Sequence, residues 1–278
     1  MSSVSVHKPI ILDQISKFVF TSYSKKNFYL RSDISTFVLL NGNIPVSPFM
    51  NFDYNLASLV PKDSIRIANN TLINKCDELW VFGAISDGVL IEIYIAKKQN
   101  KPVRYFIQEQ TASFKEISED DIRLEDVSPW MWQWVIEGKS LERWHPRLRF
   151  NKTYPLVYPA YSKRNFYWQM HISQFCLEQK RIPLNPFMLF RYFLGDSVSR
   201  NLIYEANNNI VKLCDELWTF GDISDGVLSE IETKKAMGQS IKYFNIVDSN
   251  PVVFRNISPK LAKFEDKALD KFKSIISK

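Results

Sequence analysis

Two tandem doubly wound α/β domains, each a parallel sheet covered by helices on both faces and packed together as a pseudo-dimer, are what this sequence predicts. Three observations predict them. The chain repeats itself at an offset of 138 residues, without a gap, from about residue 21 to residue 107. Within each copy, short apolar runs alternate with stretches of helical spacing. The run Leu79–Phe82 and its counterpart Leu217–Phe220 are almost continuously apolar, as strands in the buried middle of a parallel sheet are. A period of 138 far exceeds the ~20–50 residues of solenoid units, so this is a duplicated domain.

The repeat is carried by many matched positions. Tyr23 meets Tyr161, Asn27-Phe28-Tyr29 meets Asn165-Phe166-Tyr167, and Ile44-Pro45 meets Ile182-Pro183. Pro48-Phe49-Met50 meets Pro186-Phe187-Met188, and Tyr105-Phe106 meets Tyr243-Phe244. The longest match runs from Cys76-Asp77-Glu78-Leu79-Trp80 through Ser86-Asp87-Gly88 to Glu92, against Cys214-Asp215-Glu216-Leu217-Trp218 through Ser224-Asp225-Gly226 to Glu230.

In chain order, Lys17–Thr21 reads as the first strand and Asn27–Leu40 as a helix stopped by Asn41-Gly42. Ile44–Ser47 is a brief strand ended by Pro48, and Asp53–Lys62 a variable loop. A helix near Ser64–Lys75 leads to the strand Leu79–Phe82, a helix from about Val89 to Gln99 and a strand Pro102–Ile107. The second copy repeats this over Leu156–Ile246. The domains are therefore set at 1–118 and 155–278, with a tryptophan-rich linker at 119–154. Trp130, Trp132, Trp134 and Trp144 in that linker are expected to pack between the domains. Pro259–Lys278 reads as an amphipathic terminal helix with Leu261, Phe264, Leu269 and Phe272 on its apolar side.

Composition narrows the functional classes. At 45% hydrophobic and 24% charged the chain resembles an ordinary globular protein. No apolar run is long enough to span a bilayer, and the polar start Met1–Lys8 lacks a signal-peptide core, so a cytoplasmic protein without membrane contact is expected. Three cysteines are too few for a disulfide framework. The net charge of +6 is spread thinly, with Lys25-Lys26 and Lys163-Arg164 as the nearest thing to duplicated basic spots. Such a balance suits a pocket for an anionic small molecule at least as well as nucleic acid, which is not expected as a partner. The glycine-rich phosphate motifs are absent, and the three histidines and three cysteines show no metal-ligand spacing. No cofactor or metal is expected.

Ligands of open α/β sheets bind outside the carboxyl ends of the strands. Those ends hold Tyr23, Phe49 and Ser86-Asp87-Gly88 in the first copy, and Tyr161, Phe187 and Ser224-Asp225-Gly226 in the second. Glu92 and Glu230 follow five residues after the loop aspartates, among apolar neighbours. A helix dipole favours an acid in an opening turn, but capping-box spacing puts Val89 or Leu90, not Glu92, three residues after the cap. A chemical role for the two glutamates thus stands beside the structural one. Asp87-Gly88 and Asp225-Gly226 suit either a simple turn or a backbone that brings N–H groups to a polar ligand. Tyr23 and Tyr161 suit either a core or a hydrogen bond into the pocket.

The segment Ser86-Asp87-Gly88-Val89-Leu90-Ile91-Glu92, followed by Ala96 and Lys101-Pro102-Val103, resembles the signature of nucleoside 2-deoxyribosyltransferase-like proteins. Tyr23-Ser24 and Ile44–Phe49 are similar to that family's first two strand ends. The resemblance implies a flavodoxin-like fold and cleavage or transfer of an N-glycosidic bond on a nucleoside or nucleotide. It implies Glu92 and Glu230 as nucleophiles, oriented by Tyr23 and Tyr161. Asp87 and Asp225 would contact the base, and Gly88 and Gly226 would admit the sugar or phosphate closely. Ser86 and Ser224 stand where the family often has a second acid, and Val89 and Val227 where it often has a hydroxyl. Family members commonly pair subunits to complete a site, which a tandem chain could do internally, with or without further homo-oligomerisation. A catalytically silent nucleotide-binding module and a dimerising scaffold are the alternatives.

Overall fold

A computed structural model describes residues 16–149, 152–190 and 197–265. In the first copy, strands β1 (Phe18–Tyr23), β2 (Ile44–Val46), β3 (Glu78–Phe82), β4 (Val103–Gln110) and β5 (Ser113–Ile117) form one sheet in the order β2-β1-β3-β4-β5. The first four run parallel and β5 turns back antiparallel on β4. Helices α1 (Arg31–Leu40), α2 (Pro48–Asn51), α3 (Tyr54–Leu59), α4 (Lys62–Lys75) and α5 (Asp87–Lys98) connect them. The second copy repeats the plan with β6 (Leu156–Tyr161), β7 (Ile182–Pro183), β8 (Glu216–Phe220), β9 (Ser240–Val247) and β10 (Val253–Ile257), ordered β10-β9-β8-β6-β7. The strand order reverses between β1 and β3, and again between β6 and β8, which is where such sheets open a crevice.

The parallel strands form where apolar runs meet. Every residue of β3 is buried, and Trp80 is among the largest fully buried side chains. The edge strands β5 and β10 lie beyond the expected four strands. Their alternation is masked by charge, because Lys115 and Glu116 face solvent as an edge allows. The loop expected at 53–62 contains α3, and α5 starts at Asp87 rather than Val89. Ser86 is its N-cap residue, so Asp87 and Gly88 form the first helical turn and not a loop, and Glu92 sits in the second.

Between the copies lie helix α6 (Pro129–Ile136) and a 3-10 turn at Pro146–Arg149. Leu124 forms a bridge with Ile85, so the first copy extends past residue 118. Of the tryptophans expected to pack between the domains, Trp132 and Trp134 are partly buried against the core. Trp132 packs edge-on against Tyr105 of the first copy, while Trp130, Trp134 and Trp144 pack on one another with Trp130 and Trp144 exposed.

The copies also meet through α2 against its counterpart α8 (Pro186–Leu189) and through α3 against α7 (Gln169–Glu178). Asn51, fully buried there, donates from Nδ2 to the Pro183 carbonyl at 2.7 Å and accepts at Oδ1 from the Asn185 N–H at 3.1 Å. The expected terminal helix lies mostly outside the described residues, and its first turn, Pro259–Leu261, is a 3-10 turn. Among the described residues, no helix is long and apolar enough to cross a membrane.

Candidate functional site

At the carboxyl ends of β1 and β3, a cavity of about 460 Å³ opens between α5, α2 and the segment that follows β5. Tyr23, Phe49, Ser86, Asp87, Gly88 and Glu92, all expected at this edge from sequence, line it together. Convergence follows from the fold, since β1 and β3 are neighbours and both end at this edge. The rings of Tyr23 and Phe49 pack 5.0 Å apart as one wall.

Glu92 is buried, and both its carboxylate oxygens are held. Ser22 donates to Oε2 at 2.6 Å, and Arg147 donates from Nη2 to Oε1 at 2.9 Å. Arg147 itself is 8% exposed and ties together two helices, α5 and α4. Its Nη1 donates to the Gly88 carbonyl at 3.2 Å and its Nε to Asn70 Oδ1 at 3.3 Å, while the Asn70 amide donates back to the Arg147 carbonyl. A guanidinium can supply this many donors in one plane, which an ammonium cannot. Ser22 and Arg147 hold the Glu92 carboxylate, and the hydroxyl of Tyr23, the residue expected to orient it, lies 2.9 Å from Ser47 Oγ. Successive strand residues face opposite sides of the sheet, so Ser22 and Tyr23 leave β1 in opposite directions.

The helix start is equally occupied. Asp126 Oδ1 accepts the Asp87 N–H at 3.0 Å, and Asp87 Oδ2 lies 3.0 Å from His145 Nε2. His145 Nδ1 accepts the Arg147 backbone N–H at 3.2 Å, so the proton of its neutral ring is on Nε2 and points at Asp87. Glu125 pairs with Lys26 at 2.7 Å across the mouth. Gly88 has ordinary helical backbone, and a Cβ there would meet only Arg147 Nη1, at 3.9 Å. The close approaches belong instead to Gly83 and Gly221, which hold positive φ and whose added Cβ atoms would lie 2.6 Å from Asn27 Nδ2 and Asn165 Nδ2. Among the described residues, the side chains that line this cavity come from the first copy and the segment between the copies.

Arg147, His145 and Asp126 escaped sequence reasoning, because they lie in the unrepeated segment, where internal alignment carries no signal. Ser22 belongs to the strand end Ser22-Tyr23-Ser24 expected at this rim, but it aligns with Ala160 and so drew no role.

The second copy places Glu230, Tyr161, Phe187, Ser224, Asp225 and Gly226 at the equivalent positions but surrounds Glu230 differently. Tyr158, which stands where the first copy has Phe20, lies 2.6 Å from Glu230 Oε1 and 2.9 Å from Asn207 Oδ1. The Asn207 amide donates to the same Oε1 at 3.2 Å. Burial pushes the Glu230 carboxyl up to about 7, against the opposing pull of the Tyr158 and Asn207 hydrogen bonds. One phenolic hydrogen cannot serve both Asn207 and Glu230, and a protonated Glu230 satisfies both contacts. The Tyr161 hydroxyl donates to Asn185 Oδ1 at 2.7 Å, and Glu230 is among the charges that act on it. Ser224 caps Val227 N–H at 3.5 Å, whereas Ser86 makes no side-chain cap. Among the described residues, no cluster of three or more His, Cys, Asp or Glu side chains is placed to hold a metal.

No curated protein matches the chain. Both copies match one family model, described as "Domain of unknown function (DUF7768)", over residues 18–106 and 158–244, and by that coverage of more than half its length the chain belongs to this family.

Proposed function

We propose that the first copy cleaves or transfers the N-glycosidic bond of a nucleoside, nucleotide or related N-glycoside, with Glu92 as nucleophile. The observation that carries this reading is a buried glutamate at the wall of a cavity, at the switch point of the sheet, charge-paired with Arg147 and hydrogen-bonded to Ser22. In the first step a Glu92 oxygen bonds to the anomeric carbon as the carbon–nitrogen bond breaks. The base leaves with the electron pair and takes a proton from solvent or from an acid at the pocket mouth. Water, or a second base, then attacks the same carbon and releases the carboxylate. Asp87, backed by His145, stands at the helix start where it contacts the base. Glu230, held against Tyr158 and raised to about 7, is only partly ionised near neutral pH and so the poorer nucleophile, and turnover is assigned to the first copy. Three buried, free thiols fit a reducing cytoplasm.

A second reading, a silent ligand-binding module, draws on one specific observation: both Glu92 oxygens are already engaged. Incubating the protein with nucleosides, nucleotides and NAD and following free base by mass spectrometry separates the two. The enzyme reading expects Glu92→Gln to abolish base release and Glu230→Gln to retain most of it. Retention of a nucleotide without any release by the unaltered protein supports the silent module instead.

A further inference from the structure

Among the described residues, the carboxylates of Asp87, Glu92, Glu125 and Asp126 line the first cavity with Lys25 and Arg147, and Arg147 and the mouth's Lys26 are already paired with Glu92 and Glu125. A phosphate entering a sheet of this kind is normally received by the N–H groups of the helix that starts at the switch point. Here that position is filled from within, because the Asp126 carboxylate accepts the first N–H of α5 at 3.0 Å. The cavity also keeps polar capacity for an uncharged ligand. Thr21, 1% exposed and in its wall, has a hydroxyl without a hydrogen-bond partner among the described residues. Asn69 Oδ1, on the facing wall, is likewise unpartnered. Buried polar atoms of this sort are normally satisfied, and sugar hydroxyls both donate and accept.

We propose that Asp126 stands in for a ligand phosphate at the start of α5, so that the pocket selects N-glycosides without a phosphate and Asp126 is the residue that sets this choice. The inference rests on the N-glycoside reading above and narrows its substrate class. A phosphorylated ligand meets a fixed carboxylate where it needs N–H donors, whereas an unphosphorylated one leaves that capping bond in place and places its hydroxyls against Thr21 and Asn69.

The test is calorimetric titration of the full chain with matched pairs of nucleoside and nucleoside 5′-monophosphate, one pair per common base, in a Glu92→Gln background that prevents turnover. The expected result is a preference of tenfold or more for the unphosphorylated member of any pair that binds. Asp126→Asn keeps an oxygen to accept the Asp87 N–H and removes only the charge. It should narrow the preference by about tenfold, the scale of one unit charge at short range in a partly screened site. A monophosphate that binds the Asp126 protein as tightly as its nucleoside overturns the proposal, and so does a preference that Asp126→Asn leaves unchanged. If no pair binds at all, the N-glycoside reading itself fails and this inference falls with it, an outcome distinct from a reversed preference.

Discussion

Replacing either partner of the Glu92–Arg147 pair should be costly, and replacing both should cost no more than one. Their side chains are each 10% exposed and 2.9 Å apart. Arg147→Met leaves Glu92 with Ser22 as the remaining partner seen here, and Glu92→Gln leaves Arg147 its bonds to Gly88 and Asn70 but no counter-charge. Stranding one charge of a buried pair costs about 3–5 kcal/mol, because desolvation is no longer offset. Each single variant should therefore lose about 3 kcal/mol, equivalent to roughly 6–12 °C in the melting of a chain this size. In the double variant neither charge remains, so the coupling from the cycle should be about 3 kcal/mol. Urea unfolding followed by tryptophan fluorescence measures it. The exposed pair Lys98–Glu142 supplies the control, with an expected coupling under about 1 kcal/mol. Additivity within ~0.5 kcal/mol at Glu92 and Arg147 would show that the linker arginine is a passive neighbour.

Two further outcomes follow from the second copy and from the junction. Glu230, ordinarily near 4.5 and raised to about 7, binds a proton in the folded state that the unfolded state has lost between those values. Stability should therefore fall as pH rises from about 4.5 to 7 and level off above, by roughly 3 kcal/mol at most, and Glu230→Gln should flatten that slope in urea midpoints taken across pH. Asn51→Ala strands the buried Pro183 carbonyl and Asn185 N–H at the junction of the copies, at a cost of about 2–4 kcal/mol for the two groups. Calorimetry should then show the halves melting as two transitions further apart than in the parent. An unchanged melting profile refutes that role.

Much of the architecture was legible in the chain because duplication and hydrophobic patterning are local properties. The offset of 138 residues exposed two copies, and the apolar runs around Val19, Leu79 and Leu217 marked central strands, since a strand buried on both faces has no room for polar alternation. The antiparallel edges β5 and β10 were not legible, because Lys115 and Glu116 look like loop residues until an edge is known to exist. The surroundings of Glu92 were half legible. Sequence placed Tyr23, Phe49, Asp87 and Glu92 at one rim, since strand ends are predictable from patterning. It did not pair Ser22 with Glu92, because strand patterning tells which residues share a face but not which side chain across the sheet they reach.

The amino-acid order by itself determined that there are two α/β units, that each carries a glutamate after its Ser-Asp-Gly, and that the rim of the sheet is where they gather. Only the tertiary structure decided that these two glutamates are unequal. Arg147 is 55 residues from Glu92 in the chain and belongs to no repeat, yet the linker folds back to bring its charge within 2.9 Å. In the second copy a single added hydroxyl, Tyr158 for Phe20, meets Glu230, no guanidinium among the described residues bonds to it, and burial raises that carboxyl to about 7. Pattern reports which side chains share a face. The charge state of a buried acid depends on which groups end up within a few ångströms, and contacts across so many residues are set only when the chain closes on itself.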